Sequence, residues 1–285
     1  MNGPGTLDLV DFTSIDVGVV QMRLLEAGPH QASEAVVFVH GNPGSAGDWK
    51  GLVTEAGKSH RAVAVELPDF GQTIAPPGFE HTVDEYVDFL GEALDTLGIR
   101  RIQFVLHDLG ALIALPWTLA NPGRVASVTL IDTGLLPGYK WHPAARIWQA
   151  PGLGEIAQGV LTRGIFRRTA GNAEPRGLPR EFLDEMYDNY DRRTRKAVLD
   201  LYRDIKTIGT DSRLMIEPLA RLDLPCLVVW GEQDPYLSPE YAEIQRQAFP
   251  SAYVHTLANS RHRPFIDDPS TVPPLVTGFL DSAQE

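Results

Sequence analysis

Short, uninterrupted apolar runs alternate with segments of helical period toward both ends of this chain, and that alternation is its tightest constraint. Val19 to Leu24, Ala35 to His40, Ala62 to Leu67, Gln103 to His107, Ser127 to Asp132, Leu227 to Trp230 and Tyr253 to Leu257 read as strands. Several are continuous apolar runs, the pattern of a strand covered on both faces. Between them, Val83, Tyr86, Val87, Leu90, Ala93, Leu94 and Leu97 recur at helical spacing. Thr82 and Glu85 have the spacing of a capping box at the start of that helix, and Gly98 is its stop. Strands alternating with helices predict an α/β protein, with a mostly parallel central sheet flanked by helices.

The alternation lapses between about Leu135 and Asp223. This stretch reads as several helices broken at Pro137-Gly138, Pro151-Gly152 and Gly171-Asn172, with no convincing strand. The expected organisation is a core of residues 1–134 and 223–285 with a helical cap, or lid, inserted over 135–222. At 285 residues and 43% hydrophobic content, the chain can bury a sizeable core. Its formal net charge of −12 works against nucleic acid and anionic membrane as partners. No apolar run reaches the roughly 20 residues that a bilayer span needs. Met1-Asn2-Gly3-Pro4-Gly5 lacks the basic and apolar regions of a signal peptide, so the expected location is the cytoplasm. Arg167-Arg168 and Arg192-Arg193 with Arg195-Lys196 read as solvated helix faces. The single cysteine, Cys226, lies in an apolar strand and reads as core, which leaves no intrachain disulfide and no cysteine-based zinc site.

The segment Gln103-Phe104-Val105-Leu106-His107-Asp108-Leu109-Gly110-Ala111-Leu112 joins a strand to a helix through a sharp turn. Such a turn projects one side chain from the C-terminal edge of a parallel sheet, in front of helix N-terminal amides. Here that side chain is Asp108. A serine that displaced a leaving group from a saturated carbon would form an ether, which water and a general base do not readily cleave. An aspartate forms an ester instead, and water can attack the ester's carbonyl while an oxyanion hole stabilises the intermediate. A carboxylate nucleophile therefore points to alkyl halides or epoxides.

Three further segments follow strands and converge on the same edge, where open α/β sheets bind ligands. His40-Gly41-Asn42-Pro43-Gly44-Ser45 can aim the Asn42 N–H at the reacting oxygen, with the Leu109 N–H as the second oxyanion donor. Trp230-Gly231-Glu232-Gln233-Asp234-Pro235-Tyr236 carries Asp234, suited to orienting a histidine. Asn259-Ser260-Arg261-His262-Arg263-Pro264-Phe265 carries His262, the expected base. The order nucleophile, acid, histidine is the one this sheet topology requires. No glycine-rich phosphate loop, G-x-S-x-G or H-E-x-x-H occurs, and the two-step ester chemistry calls for no metal and no organic cofactor.

On these motifs the chain resembles the α/β-hydrolase superfamily over nearly its whole length. Within it, the resemblance is to the aspartate-nucleophile enzymes, the epoxide hydrolases and haloalkane dehalogenases. His40-Gly41-Asn42-Pro43 is similar to their oxyanion turn, and His107-Asp108-Leu109-Gly110 to their nucleophile elbow. Gly231-Glu232-Gln233-Asp234 and His262-Arg263-Pro264-Phe265 are similar to their acid and base segments. The resemblance implies the α/β-hydrolase fold with an inserted helical cap. It also marks Asp132 as a reserve acid, since some dehalogenases supply the acid from that position. Leu106 departs from the small residue usual two positions before the nucleophile.

The same resemblance bears on the choice of reaction. A dehalogenase would cradle its halide with Asn42 and a tryptophan just after the nucleophile. Leu109 stands there instead and offers no side-chain donor, unless Trp141 or Trp148 swings in from the cap. Epoxide hydrolases supply tyrosines from the cap to the oxygen of the opening ring, and Tyr202 matches the place of one of them. Tyr139 or Trp141 is the expected second donor, and Tyr139, Trp141, Trp148 and His107 are expected to bind substrate. The reading is therefore an epoxide hydrolase that takes a small apolar or aromatic epoxide and water. Its alternatives are a haloalkane dehalogenase, an ester hydrolase with Asp108 as base, and a ligand-binding protein on this scaffold.

Overall fold

The computed structural model describes Val10, residues 12–171 and residues 178–283. Its strands are β1 (Phe12–Val17), β2 (Val20–Ala27), β3 (Glu34–Val39), β4 (Ala62–Val65), β5 (Arg101–His107), β6 (Val125–Ile131), β7 (Cys226–Gly231) and β8 (Tyr253–Leu257). They form one sheet in the order β1-β2-β4-β3-β5-β6-β7-β8. β2 pairs antiparallel with β1 and β4, and every other pair is parallel. All seven expected strands are present. The additional one, β1, carries Thr13, Ser14 and Asp16 and is largely exposed, so it has no apolar run to read.

Along the parallel strands, alternate residues enter two different cores. Val37, Val39, Phe104, Leu106 and Leu130 pack on one side of the sheet, while Val36, Phe38, Val105 and Ile131 pack on the other. The first side is covered by α2 (Val83–Thr96) and α3 (Gly110–Ala120), the second by α1 (Lys50–Ala56) and α12 (Val272–Ser282). Two short helices, α10 (Glu240–Ile244) and α11 (Pro264–Asp267), complete the C-terminal part. At the start of α2, the Glu85 N–H donates to Thr82 Oγ1 at 3.3 Å, but the Glu85 carboxylate accepts the Glu80 N–H rather than closing the capping box. Gly98 ends that helix region at φ +68°, a conformation glycine takes without strain.

Between β6 and β7 the chain forms α4 (Pro143–Gln149), α5 (Leu153–Gly159), α6 (Arg163–Gly171), α7 (Arg180–Asn189), α8 (Arg192–Asp204) and α9 (Ile208–Leu222). No strand occurs there among the described residues. α4 packs on α5 and α8, and α6 on α7. α8 buries Ala197, Val198, Leu201 and Tyr202, one stripe at helical spacing. The basic pairs are engaged in surface contacts: Arg167 with Asp184, Arg193 with Asp191, and Lys196 with Asp200. Asn172 of the Gly171-Asn172 break lies outside the described residues, as does Met1-Asn2-Gly3-Pro4-Gly5. Cys226 is fully buried, and no helix among the described residues is long and apolar enough to cross a membrane.

The register decides where the chemistry can be. Val39 lies beside Leu106, His107 beside Ile131, and Ile131 beside Val229, so β3, β5, β6 and β7 end in one row. The segments that follow them are neighbours across the sheet edge.

Candidate active site

β5 ends at His107, α3 opens at Gly110, and Asp108 stands between them at φ +48°. That left-handed conformation is strained for a residue with a side chain and is the geometry of a tight elbow. Two glycines make room for it. A Cβ on Gly41 would come 2.3 Å from the Asp108 Cβ, and one on Gly110 would come 2.3 Å from the Val39 carbonyl oxygen. Leu106 is fully buried in the α2–α3 core. Thr133, just past β6, donates its hydroxyl to the Asp108 carbonyl oxygen and braces the elbow from the next strand.

The Asn42 N–H donates to Asp108 Oδ1 at 2.6 Å. On the other carboxylate oxygen, His262 Nε2 lies 3.5 Å from Asp108 Oδ2. His262 Nδ1 is 2.8 Å from Asp234 Oδ2, and Asp234 Oδ1 accepts the Tyr236 and Leu237 N–H groups at 2.7 and 3.1 Å. Asp132 does not hold the histidine. Its oxygens accept the Gly231 N–H at 3.0 and 3.3 Å.

Burial works against each of these charges, and their mutual contacts overcome it. Burial pushes Asp108 up, but the hydrogen bond and charge of His262, with the Asn42 N–H, hold it well below the usual carboxylate range. Burial pushes Asp234 up as well, and His262 and the two backbone N–H groups bring it below its ordinary value. Burial lowers His262, yet Asp234 and then Asp108 raise it well above an ordinary imidazole. These contacts thus favour an imidazolium held between two carboxylates.

His107 is not part of the substrate wall, contrary to the expectation. Its ring turns away from the cavity and packs edge-on against Trp49 and Phe265, at 6.2 and 5.2 Å between ring centroids. Its Nε2 donates to the His262 carbonyl oxygen at 2.7 Å, and burial with the charge of His262 lowers its pKa to about 3. It is a neutral strut beneath His262.

In front of Asp108 lies a cavity of about 310 Å³ between the sheet edge and the inserted helices. Asn42, Leu109, Tyr139, Trp141, Trp148, Tyr202 and His262 all line it, with Leu112, Leu136, Leu161 and Phe166 making its farther reaches apolar. Two of the expected donors are engaged elsewhere. The Tyr139 hydroxyl donates to the Tyr236 carbonyl at 3.2 Å, and the Trp141 indole N–H to the Lys206 carbonyl at 3.2 Å. Tyr202 is buried and kept protonated by burial and by the Asp108 charge. Among the described residues, neither side-chain amide atom of Asn42 has a hydrogen-bond partner. Trp141 and Trp148 hold the Tyr202 ring at 5.3 and 4.9 Å.

Sequence reasoning missed His142 and Tyr236 in this wall. Tyr236 lies edge-on to the His262 ring at 5.0 Å and against His142 at 5.1 Å. Tyr236 falls two residues after Asp234, the one signal that could have marked it. Among the described residues, no cluster of three or more His, Cys, Asp or Glu is placed to hold a metal ion.

Residues 36–272 match the family described as the alpha/beta hydrolase family. A cis-3-alkyl-4-alkyloxetan-2-one decarboxylase of Xanthomonas campestris pv. campestris is 25% identical, over 92% of this chain and 93% of its own. The haloalkane dehalogenase DbeA from Bradyrhizobium elkani USDA94 superimposes with a TM-score of 0.85 at 21% identity, covering 96% of this chain and 99% of that one. The epoxide hydrolase VrEH1 from Vigna radiata does so with a TM-score of 0.77 at 19% identity, covering 98% of this chain and 100% of its own. At these identities the two structures speak for the fold alone.

Proposed function

This chain belongs to the alpha/beta hydrolase family, and on that premise we propose that it hydrolyses epoxides to vicinal diols through an ester on Asp108. One observation carries the reading. An ionised carboxylate, held by the Asn42 N–H on one oxygen and facing His262 with the other, opens into an apolar cavity that contains a buried phenol. Oδ2 of Asp108 attacks a ring carbon, the carbon–oxygen bond breaks, and the departing oxygen takes the Tyr202 proton. The imidazolium of His262 returns a proton to Tyr202 through the cavity and becomes neutral. It then takes a proton from water, which adds to the ester carbonyl while Oδ1 stays on the Asn42 N–H as the oxyanion. Collapse releases the diol and restores the Asp108 carboxylate and the His262 imidazolium.

A halide would leave with less help. Leu109 brings no donor to the cavity and the Trp141 N–H is bonded to Lys206, which leaves the Asn42 amide without a matching indole. A second reading has its own support, because the oxetan-2-one decarboxylase relative spans nearly the whole of this chain. A four-membered cyclic ester also presents a saturated carbon bonded to a leaving oxygen, and the same carboxylate and phenol would serve its opening.

Intact-protein mass of the His262→Gln variant, incubated separately with epoxides, oxetan-2-ones and haloalkanes, tests these readings. Blocking the base should trap the ester, and a gain of one whole epoxide that disappears in the Asp108→Ala, His262→Gln double variant is the expected result. A gain only from oxetan-2-ones, or of an alkyl group stripped of its halogen, would replace the epoxide reading. No adduct from any class would remove Asp108 as nucleophile.

A further inference from the structure

Trp141 and Trp148 hold the Tyr202 ring from within the inserted helices. Where the phenol stands relative to Asp108 depends as well on how its helix, α8, is seated on the sheet-bearing part of the molecule. Two carboxylates of α8 reach the segment between β4 and α2. Asp200 Oδ2 lies 3.3 Å from His81 Nδ1, and Asp204 Oδ2 accepts the N–H of Val83, the first residue of α2, at 2.8 Å. Asp200 and Asp204 are about one turn apart on one face of α8. At roughly 3.6 residues per turn, Tyr202 falls on the opposite face, toward the cavity.

His81 is itself held. Its ring is buried, its Nε2 lies 3.0 Å from Asp69 Oδ2, and Phe79 and Tyr86 pack against it at 5.3 and 6.3 Å between ring centroids. Asp69 Oδ1 in turn accepts the Ala75 N–H at 2.9 Å. Asp69 and His81 both stand at φ +60°, an uncommon conformation for residues with side chains. Strain kept at two residues that meet each other, away from the reacting groups, is a sign that their contact is constrained. Lys196 at 2.5 Å and Arg203 at 3.9 Å also approach Asp200, but both belong to α8 itself. Of these three contacts, the one with His81 joins Asp200 to the sheet-bearing part.

We propose that His81 is a positioning residue for ring opening: anchored on Asp69, it fixes Asp200 and, with the Val83 N–H on Asp204, sets α8 so that the Tyr202 phenol stands over Asp108. A phenol helps only within hydrogen-bond reach of the departing oxygen, and a shift of about 1 Å in α8 would take it out of reach. Asn42, Asp234 and His262, which serve ester hydrolysis, all lie off α8. The signature of the device is therefore a defect in one step. That rate consequence rests on the reaction proposed above, whereas the placement of Tyr202 does not.

Asparagine takes a positive φ readily but is too short to span two carboxylates, so His81→Asn breaks the tie without straining the backbone. By rapid quench, this variant should form the ester about tenfold more slowly and hydrolyse it within about twofold of wild type. In a Tyr202→Phe background the same substitution should change ester formation by less than about twofold, because no phenol remains to be misplaced. Asp200→Asn should act as His81→Asn does, and the two together should do no more than either one. If His81→Asn does not fold, Asp200→Asn and the exposed Asp204→Asn carry the test, the latter with a slowing of about threefold in the same step. Unchanged ester formation, equal slowing of both steps, additive effects, or a full effect without the phenol would each overturn the proposal. Fluorine NMR of protein carrying fluorotyrosine reads the placement without turnover, with the Tyr202 signal identified by its loss in Tyr202→Phe. That signal should shift or broaden in His81→Asn and Asp200→Asn, and an unchanged signal would refute the placement. Failure of every substrate class to form an ester would refute the reaction and leave this signal to decide the placement.

Discussion

The two walls of the cavity are held in different ways. On the sheet side the reacting groups are held by hydrogen bonds: Asn42 N–H on Asp108, Asp234 on His262, Gly231 N–H on Asp132, and His107 on the His262 carbonyl. On the helical side Trp141, Trp148, His142 and Tyr202 meet through ring faces and edges, with centroids 4.9 to 6.4 Å apart. Hydrogen bonds fix direction and ionisation, while ring contacts fix volume and tolerate small rotations. On the reaction proposed here, the sheet wall would set the chemistry, and the helical wall what fits and how fast the ring opens. Replacing Asp108 by asparagine is the severest trial of this division. It keeps the shape and removes the nucleophile, so kcat should fall by at least about 10⁴-fold toward every substrate, with the fold intact by circular dichroism. Appreciable turnover by Asp108→Asn would place the chemistry elsewhere.

The next largest effect belongs to the helical wall. Tyr202→Phe removes the proposed proton donor but not the ring held between Trp141 and Trp148. Ester formation from an epoxide should slow about 10²-fold, while hydrolysis of an ester already formed should change far less. Rapid-quench measurement of the two steps separates them. Equal slowing of both would mean that Tyr202 acts on the sheet wall's chemistry, and the division between the walls would fail.

How much could be read beforehand follows the same line. β3 to β7 were legible because strands buried on both faces need continuous apolar runs, whereas the exposed β1 needs none. Asp108, Asp234 and His262 were legible because each lies in a segment that follows a strand on one edge. His107 misled because it adjoins Asp108 in sequence, yet successive residues leaving a strand point to opposite sides, and only one of this pair faces the cavity. The preference for Asp234 over the reserve acid Asp132 has its physical reason in the turn. Both follow neighbouring strands, and only the turn that bends Asp234 back onto the Tyr236 and Leu237 N–H groups gives it the histidine. Tyr139 and Trp141 spend their donors on carbonyls of Tyr236 and Lys206, partners far away in sequence that no local pattern reveals.

Trp148→Ala sharpens the comparison at a smaller scale. The ring lines the cavity and abuts Tyr202. Losing roughly 80 Å² of apolar contact should raise KM for an aryl epoxide about thirtyfold, with kcat changed only severalfold. Small aliphatic epoxides that do not reach the ring should show little change in KM. A fall in kcat alone, equal for large and small substrates, would make Trp148 part of the reaction rather than of the fit.

The smallest effect expected is a shift in pH dependence, and it joins the two steps of the reaction. In the free enzyme Asp234 and Asp108 both hold His262 above the ordinary imidazole range. Forming the ester removes the Asp108 charge, so one of the two supports disappears and the His262 pKa must fall. Hydrolysis needs the neutral ring, so its rate should rise with pH to a plateau. Its midpoint should lie about one unit below the His262 midpoint followed by NMR in the free protein, worth at most about tenfold in rate at any one pH. The stability of the resting site has the opposite slope at high pH. The raised His262 contributes most below about pH 6.5, and that contribution is lost as pH rises through its folded value. The depressed Asp108 and Asp234 contribute above about pH 4 and lose their share as pH falls. Coincident midpoints for the hydrolysis step and the free imidazole would mean that Asp108 keeps its charge throughout, which a covalent ester does not allow.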